Sequence, residues 1–209
     1  MTKKLILFLP LLVFVILFAS RISAASSVSG HKIVIDPGHG GSDSGSTACQ
    51  GLPEKIVTLD IANRLKILLE DQGAQVFLTR TGDLTKSNND RYTYANSVGG
   101  EALVSIHLNG STNHATNGTK GFWGKKNKDQ AFTKVIHSRM PTELGVPDQG
   151  ISNFASGVLL KSNMPSTISE TVYISNTAEC NLLKDGTGTR QQQIANSLYN
   201  GLSDWFVTH

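Results

Sequence analysis

Twice within its first 107 residues this chain runs a short apolar stretch up to a histidine, with residues between that read as helix, strand and helix. Lys32-Ile33-Val34-Ile35-Asp36 stops at Pro37-Gly38 and delivers His39, and Ala102-Leu103-Val104-Ser105-Ile106 delivers His107. A compact apolar run closed by Pro-Gly is the pattern of a buried strand ending at a turn. From Glu54 to Gln72, Val57, Ile61, Leu65, Leu68 and Leu69 recur at helical spacing, with Pro53 at the entry and Gly73 just past the end. Gln75–Thr79 reads as a second strand and Asn88–Val98 as a second helix. Further on come a polar loop from Asn109 to Gly118, a strand near Lys120–Trp123 and a helix from about Asp129 to Leu144. Short strands near Gly157–Leu160 and Thr167–Glu170 and a helix from about Thr189 to Phe206 complete the reading. Strands alternating with helices of ten or more residues require βαβ crossovers. The expected fold is a single α/β domain whose mostly parallel central sheet of about six strands is flanked by helices.

The N-terminus carries a different signal. Lys3 and Lys4 precede an apolar run from Leu5 to Ala19, which exits through Ser23-Ala24-Ala25. A basic head, a short apolar stretch and a small-residue exit describe a secretory signal peptide over residues 1–25, with an uncleaved anchor as the alternative. The run is shorter than the ~20 residues of a membrane span, so none is expected after cleavage. Residues 1–25 hold three of the 19 basic residues and none of the 16 acidic ones, leaving residues 26–209 with 16 of each. The whole-chain pI of 8.9 therefore gives no support to a nucleic-acid partner. Cys49 and Cys180 are the only cysteines. In an oxidising compartment they could pair, or they could be two buried thiols; two cysteines alone make a poor zinc site.

Open α/β sheets place their chemistry beyond the C-terminal ends of the strands, where His39 and His107 both fall. Glu54, on the first turn of the helix after the His39 loop, can point back to the same rim. Two imidazoles and a carboxylate make the three-ligand set of a catalytic zinc, with a fourth position left for water whose pKa zinc would lower to ~7. Taken singly, each has a plainer explanation: a strand-end histidine often sits at a surface, and a first-turn glutamate suits the helix dipole. His114 and His137 lack partners at ligand spacing and read as surface residues. Other chemistries fail on the residues present. Asp43 stands where a dinucleotide-binding loop needs its third glycine, and no phosphate-binding Gly-Lys-Ser/Thr follows. Gly41-Ser42-Asp43-Ser44-Gly45 puts an aspartate at the position of a serine nucleophile, and no His-Glu-x-x-His occurs.

Five blocks, in order, resemble the zinc-dependent N-acetylmuramoyl-L-alanine amidases of the third amidase type. They are Ile33–Gly41 (IVIDPGHGG), Leu52–Lys55 with Glu54, Val76–Arg80 ending in Thr-Arg, Ser105–Asn109 (SIHLN) and Glu170–Asn176 (ETVYISN) followed by Glu179. The likeness covers residues 32–206 and implies that residues 26–209 form a zinc amidase catalytic domain. It implies one zinc held by His39, Glu54 and His107, with Glu170 as the catalytic carboxylate. It also implies a substrate, peptidoglycan, cut between N-acetylmuramic acid and the L-alanine of the stem peptide. An exported protein of the periplasm or cell wall follows. The chain departs from the family pattern at Val172 and Tyr173, where glycine and phenylalanine are usual, and at Leu108, commonly alanine. The connection from Asn109 to Phe122 is too short for the helix that plugs the site in some members. Arg80 and Arg91 match family positions, but a bridging role accounts for them equally well. Glu179 reads as the start of a helix. Two other functions share these residues: a non-catalytic wall-binding protein of the same fold, and a zinc peptidase acting within the stem peptide.

Overall fold

A computed structural model describes residues 26–209; the leader expected over residues 1–25 lies outside the described residues. Six strands form one sheet: β1 (Lys32–Pro37), β2 (Gln75–Leu78), β3 (Ala102–Asn109), β4 (Thr119–Trp123), β5 (Asp148–Asn153) and β6 (Ser166–Tyr173). Their order is β2-β1-β3-β6-β4-β5, and only the β4–β6 pair is antiparallel. The expected α/β domain with a mostly parallel sheet is therefore present. After β1 the chain builds β2 on one side and β3 on the other, so the strand order reverses at β1 and a crevice opens at the carboxyl ends of β1 and β3.

Six helices cover the sheet: α1 (Glu54–Asp71), α2 (Asn88–Ser97), α3 (Lys126–Leu144), α4 (Gly157–Lys161), α5 (Thr177–Lys184) and α6 (Thr189–Thr208). Val57, Ile61, Leu65 and Leu69 of α1 join Ile33 and Ile35 of β1, Phe132 and Ile136 of α3 and Leu198 and Leu202 of α6 in the larger core. The opposite face is covered more thinly. There Val34 and Leu103 meet Ala95 of α2 and Val158 of α4 in a cluster of five buried residues. Side chains alternate along a strand, so Ser105 and His107 share that thinly covered face with Leu103. This face is left partly open, with a cleft at the strand ends.

Two elements differ from the sequence reading. Residues 157–160 are helical, not a strand: one turn buries Val158 in the smaller core and Leu159 beside it in the sequence, and the Ser162 hydroxyl donates back to the Val158 carbonyl at 2.5 Å. β5 has no sequence signal: Asp148-Gln-Gly-Ile-Ser-Asn lies at the sheet edge with no residue fully buried. His137 is not a surface residue; it is 6% exposed and bonds Asp148 at 2.7 Å, tying α3 to that edge strand. Cys49 and Cys180 are joined in a disulfide, which ties the loop before α1 to α5. Among the described residues no helix is long and apolar enough to cross a membrane.

Candidate active site at the carboxyl ends of β1 and β3

The loop that leaves β1 is shaped by two buried arginines. Arg80 donates to the carbonyls of Pro37 (3.0 Å), Gly38 (2.9 Å) and Lys55 (2.8 Å). Arg91 donates to the carbonyls of Pro37 (2.8 Å) and His39 (2.7 Å) and to Asp36 Oδ1 (2.7 Å). Three successive carbonyls are thereby satisfied without a helix or strand. This clamp holds His39 at φ 61°, the left-handed region that a non-glycine residue enters at a cost of about 1–3 kcal/mol. Asp36, 1% exposed, anchors the clamp by also accepting from Thr79 and from Ser105 (2.6 Å). Burial disfavours its charge, but Arg91 beside it and the two hydroxyls hold the carboxyl below its ordinary range.

The three expected ligands converge. His39 Nε2 lies 3.1 Å and His107 Nδ1 3.3 Å from Glu54 Oε1, and the two ring nitrogens are 3.1 Å apart. Tetrahedral zinc with bonds of ~2.0–2.1 Å separates its ligand atoms by roughly 3.3–3.4 Å, so this triangle has the dimensions of one face of such a site. The outer atoms of two of the groups are pinned. His39 Nδ1 bonds Asp43 Oδ2 at 2.9 Å, and Glu54 Oε2 accepts the Ser46 N–H at 2.9 Å. A carboxylate on the far nitrogen of a ligand histidine fixes its tautomer and orientation. Gly38 and Gly45 are required by close approach. A Cβ on Gly38 would fall 2.5 Å from the His107 ring, and one on Gly45 would fall 2.6 Å from His39 and 2.7 Å from Glu54.

The charges reinforce the reading. Burial works against a charged His39, but bonds and attraction from Glu54, then Asp43, raise its pKa to about 9. Burial also disfavours charge on Glu54, yet the two imidazoles, His107 first, hold its carboxyl far below the usual carboxylate range. A positive charge among these groups is therefore favoured.

Glu170 stands beside it. It is the register partner of His107 on the adjacent parallel strand β6, and both line an open cleft of about 300 Å³ with His39 and Glu54. Its Oε2 is buried without a hydrogen-bond partner. Burial pushes its pKa up; His107 opposes this and the negative Glu54 adds to it. An unpaired carboxyl with a raised pKa in a cleft is a candidate proton carrier.

Glu179 is placed elsewhere. It opens α5 as expected, but its carboxylate receives Arg190 at 2.7 and 2.8 Å and Asn117 at 3.0 Å, a buried structural pair. Arg80 and Arg91 form the loop clamp described above, and Arg91 also lines the cleft beside His39 with its donors spent on that loop. The β3–β4 connection carries no helix, so nothing plugs the cleft from there. Asp43 is the site residue that sequence reasoning passed over. Its spacing of four from His39 was visible, but only the left-handed turn at His39 brings the two together.

Comparison with known proteins decides the family. A family model described as N-acetylmuramoyl-L-alanine amidase matches residues 33–204. The chain belongs to that amidase family. It is 36% identical over 182 residues to the sporulation-specific N-acetylmuramoyl-L-alanine amidase of Bacillus subtilis, covering 84% of this chain and 68% of that protein. It is 31% identical over 182 residues to the amidase LytC of the same organism, covering 86% of this chain but 36% of LytC. The chain thus spans little more than a third of that relative. Among solved structures, the amidase AmiC2 of Nostoc punctiforme superposes with a TM-score of 0.79 at 32% identity, covering 86% of this chain and 99% of that one. The five motif blocks all fall inside the matched span, and so does the whole His39–Glu54–His107–Glu170 cluster.

Proposed function

We propose that this chain hydrolyses the amide bond between N-acetylmuramic acid and the L-alanine of the peptidoglycan stem peptide, using one zinc held by His39, Glu54 and His107. The observation that carries the metal assignment is the triangle of donor atoms with sides of 3.1–3.3 Å. Two nitrogens and one carboxylate oxygen suit zinc and leave it open to substrate. When bound, zinc supplies Lewis acidity: it acidifies a water and polarises a carbonyl oxygen. The protein's own groups do the rest. Asp43 keeps the His39 lone pair turned inward, and the Ser46 and Leu108 N–H groups hold the Glu54 carboxylate in place. Glu170, with its raised pKa, takes a proton from the attacking water and returns it to the departing alanine nitrogen.

The family match supports the substrate, and the intact set of four residues favours an enzyme over a wall-binding protein that has lost its chemistry. The basic–apolar–small layout of residues 1–25 and the Cys49–Cys180 disulfide support export to the periplasm or cell wall. Digestion of purified peptidoglycan tests the reading. New L-alanine amino termini should appear, with the glycan strands intact and no new ends within the stem peptide. Peptide-internal ends would make the protein a peptidase, and no new ends would make it a binding protein.

A further inference from the structure

Beside the metal-site lobe the cleft continues into a second lobe of about 250 Å³, and the two share His39, His107, Phe154 and Ile168. The acidic side chains that line it are already committed. Asp36 accepts from Arg91, Thr79 and Ser105, and Asp43 accepts from His39 and the Gly45 N–H. Lys86 and Asn88 also line this lobe, and among the described residues their side chains make no hydrogen bond or ion pair. Asp90, on the next turn, uses its carboxylate in the Ser87 capping box and forms no ion pair with Lys86. The polar side chains left uncommitted are thus Lys86, which only donates, Asn88, which offers two donors and an acceptor, and the Ser156 hydroxyl.

Their position is fixed by the histidine loop. Gly41 N–H donates to Asp83 at 2.7 Å, Ser42 N–H to the Thr85 hydroxyl at 3.1 Å, and Arg91 to the Lys86 carbonyl at 3.2 Å. The segment carrying Lys86 is therefore fastened to the His39 loop at two points directly and, through Arg91, at a third. Phe154, 49% exposed and 5.2 Å from Phe122 ring to ring, provides an apolar wall common to both lobes.

This inference rests on the amidase reading above. On the sugar side of the scissile bond the lactyl carboxyl is itself tied up in the amide, so no free anion lies there. The stem peptide carries free carboxylates, and one residue of extended chain spans ~3.3–3.6 Å, so a group close to the cut reaches the adjoining lobe. We infer that Lys86, assisted by Asn88, binds the stem-peptide carboxylate nearest the scissile amide and makes the enzyme prefer a free acid there over its amide. Lys86 is a specificity-determining residue outside the metal cluster.

The test uses two muramoyl peptides that differ only in whether the acidic residue after L-alanine carries a free carboxylate or an amide. With the zinc-loaded wild type, the acid should show the lower KM. Lys86→Met should raise KM for the acid by about tenfold, with kcat within about twofold and the KM for the amide unmoved, and Lys86→Arg should restore the preference. Equal KM changes for both substrates, or none for either, would overturn the inference while leaving the amidase reading standing. If the wild type turned over neither substrate, the amidase reading would fall and this inference with it.

Discussion

Glu170 and His107 face each other as register partners on adjacent parallel strands, so a carboxyl with no hydrogen-bond partner stands next to a candidate metal ligand without pairing to it. Burial raises the Glu170 pKa, which means the ionised form is less favourable in the fold than in the unfolded chain. Linkage gives the sign: a raised carboxyl pKa costs stability once pH exceeds the unfolded value, and the cost grows until the folded pKa is passed. Glu170→Gln should therefore melt a few degrees higher than the wild type at neutral pH in metal-free protein. With zinc it should keep its metal but lose ~10²–10⁴ in turnover, the usual share of general acid–base catalysis. Calorimetry with metal analysis and an activity assay checks both halves; unchanged turnover would remove Glu170 from the chemistry.

Glu179 should behave in the opposite way. Its carboxylate is 4% exposed and forks onto Arg190 at 2.7 and 2.8 Å, so removing it strands a buried guanidinium. Glu179→Ala should cost about 3–5 kcal/mol in urea unfolding, yet retain zinc and turnover per folded molecule. Loss of activity in a variant that stays folded and metal-loaded would shift the proton-transfer role nine residues along the chain.

Metal uptake should release a proton. With a pKa of about 9, His39 is protonated in the metal-free fold at pH 7.5, and a ligand imidazole must be neutral. Calorimetric zinc titrations in buffers of different ionisation enthalpy should report close to one proton released at pH 7.5, fewer as pH rises past 9, and affinity should increase over that interval. No buffer dependence would mean that His39 enters the metal site already neutral.

The halves of the site differed in how readable they were before folding. His39 and His107 declared themselves because each ends an apolar strand, and β1 is buried along nearly its whole length. α1 was equally plain, its buried Val57, Ile61, Leu65 and Leu69 falling four residues apart. The misread segment, residues 157–160, contains a three-residue apolar run, too short for periodicity to separate helix from strand. β5 stayed hidden because an edge strand needs no apolar alternation when one neighbour supplies its ladder. Asp43 reaches His39 only through the left-handed turn that the Arg80–Arg91 clamp holds, a tertiary fact that spacing does not carry. The cysteines left pairing and free thiols equally open, and closure was decided by where α5 packs.

The central claim is that one zinc, held by His39, Glu54 and His107, makes this fold an amidase. Stripping the metal and titrating zinc back while counting L-alanine amino termini released from peptidoglycan tests it most directly. Activity should be absent in the stripped protein, rise linearly and break at one equivalent, and His107→Ala should show no such rise while remaining folded. Full activity without metal, a break at two equivalents, or normal recovery in His107→Ala would contradict it.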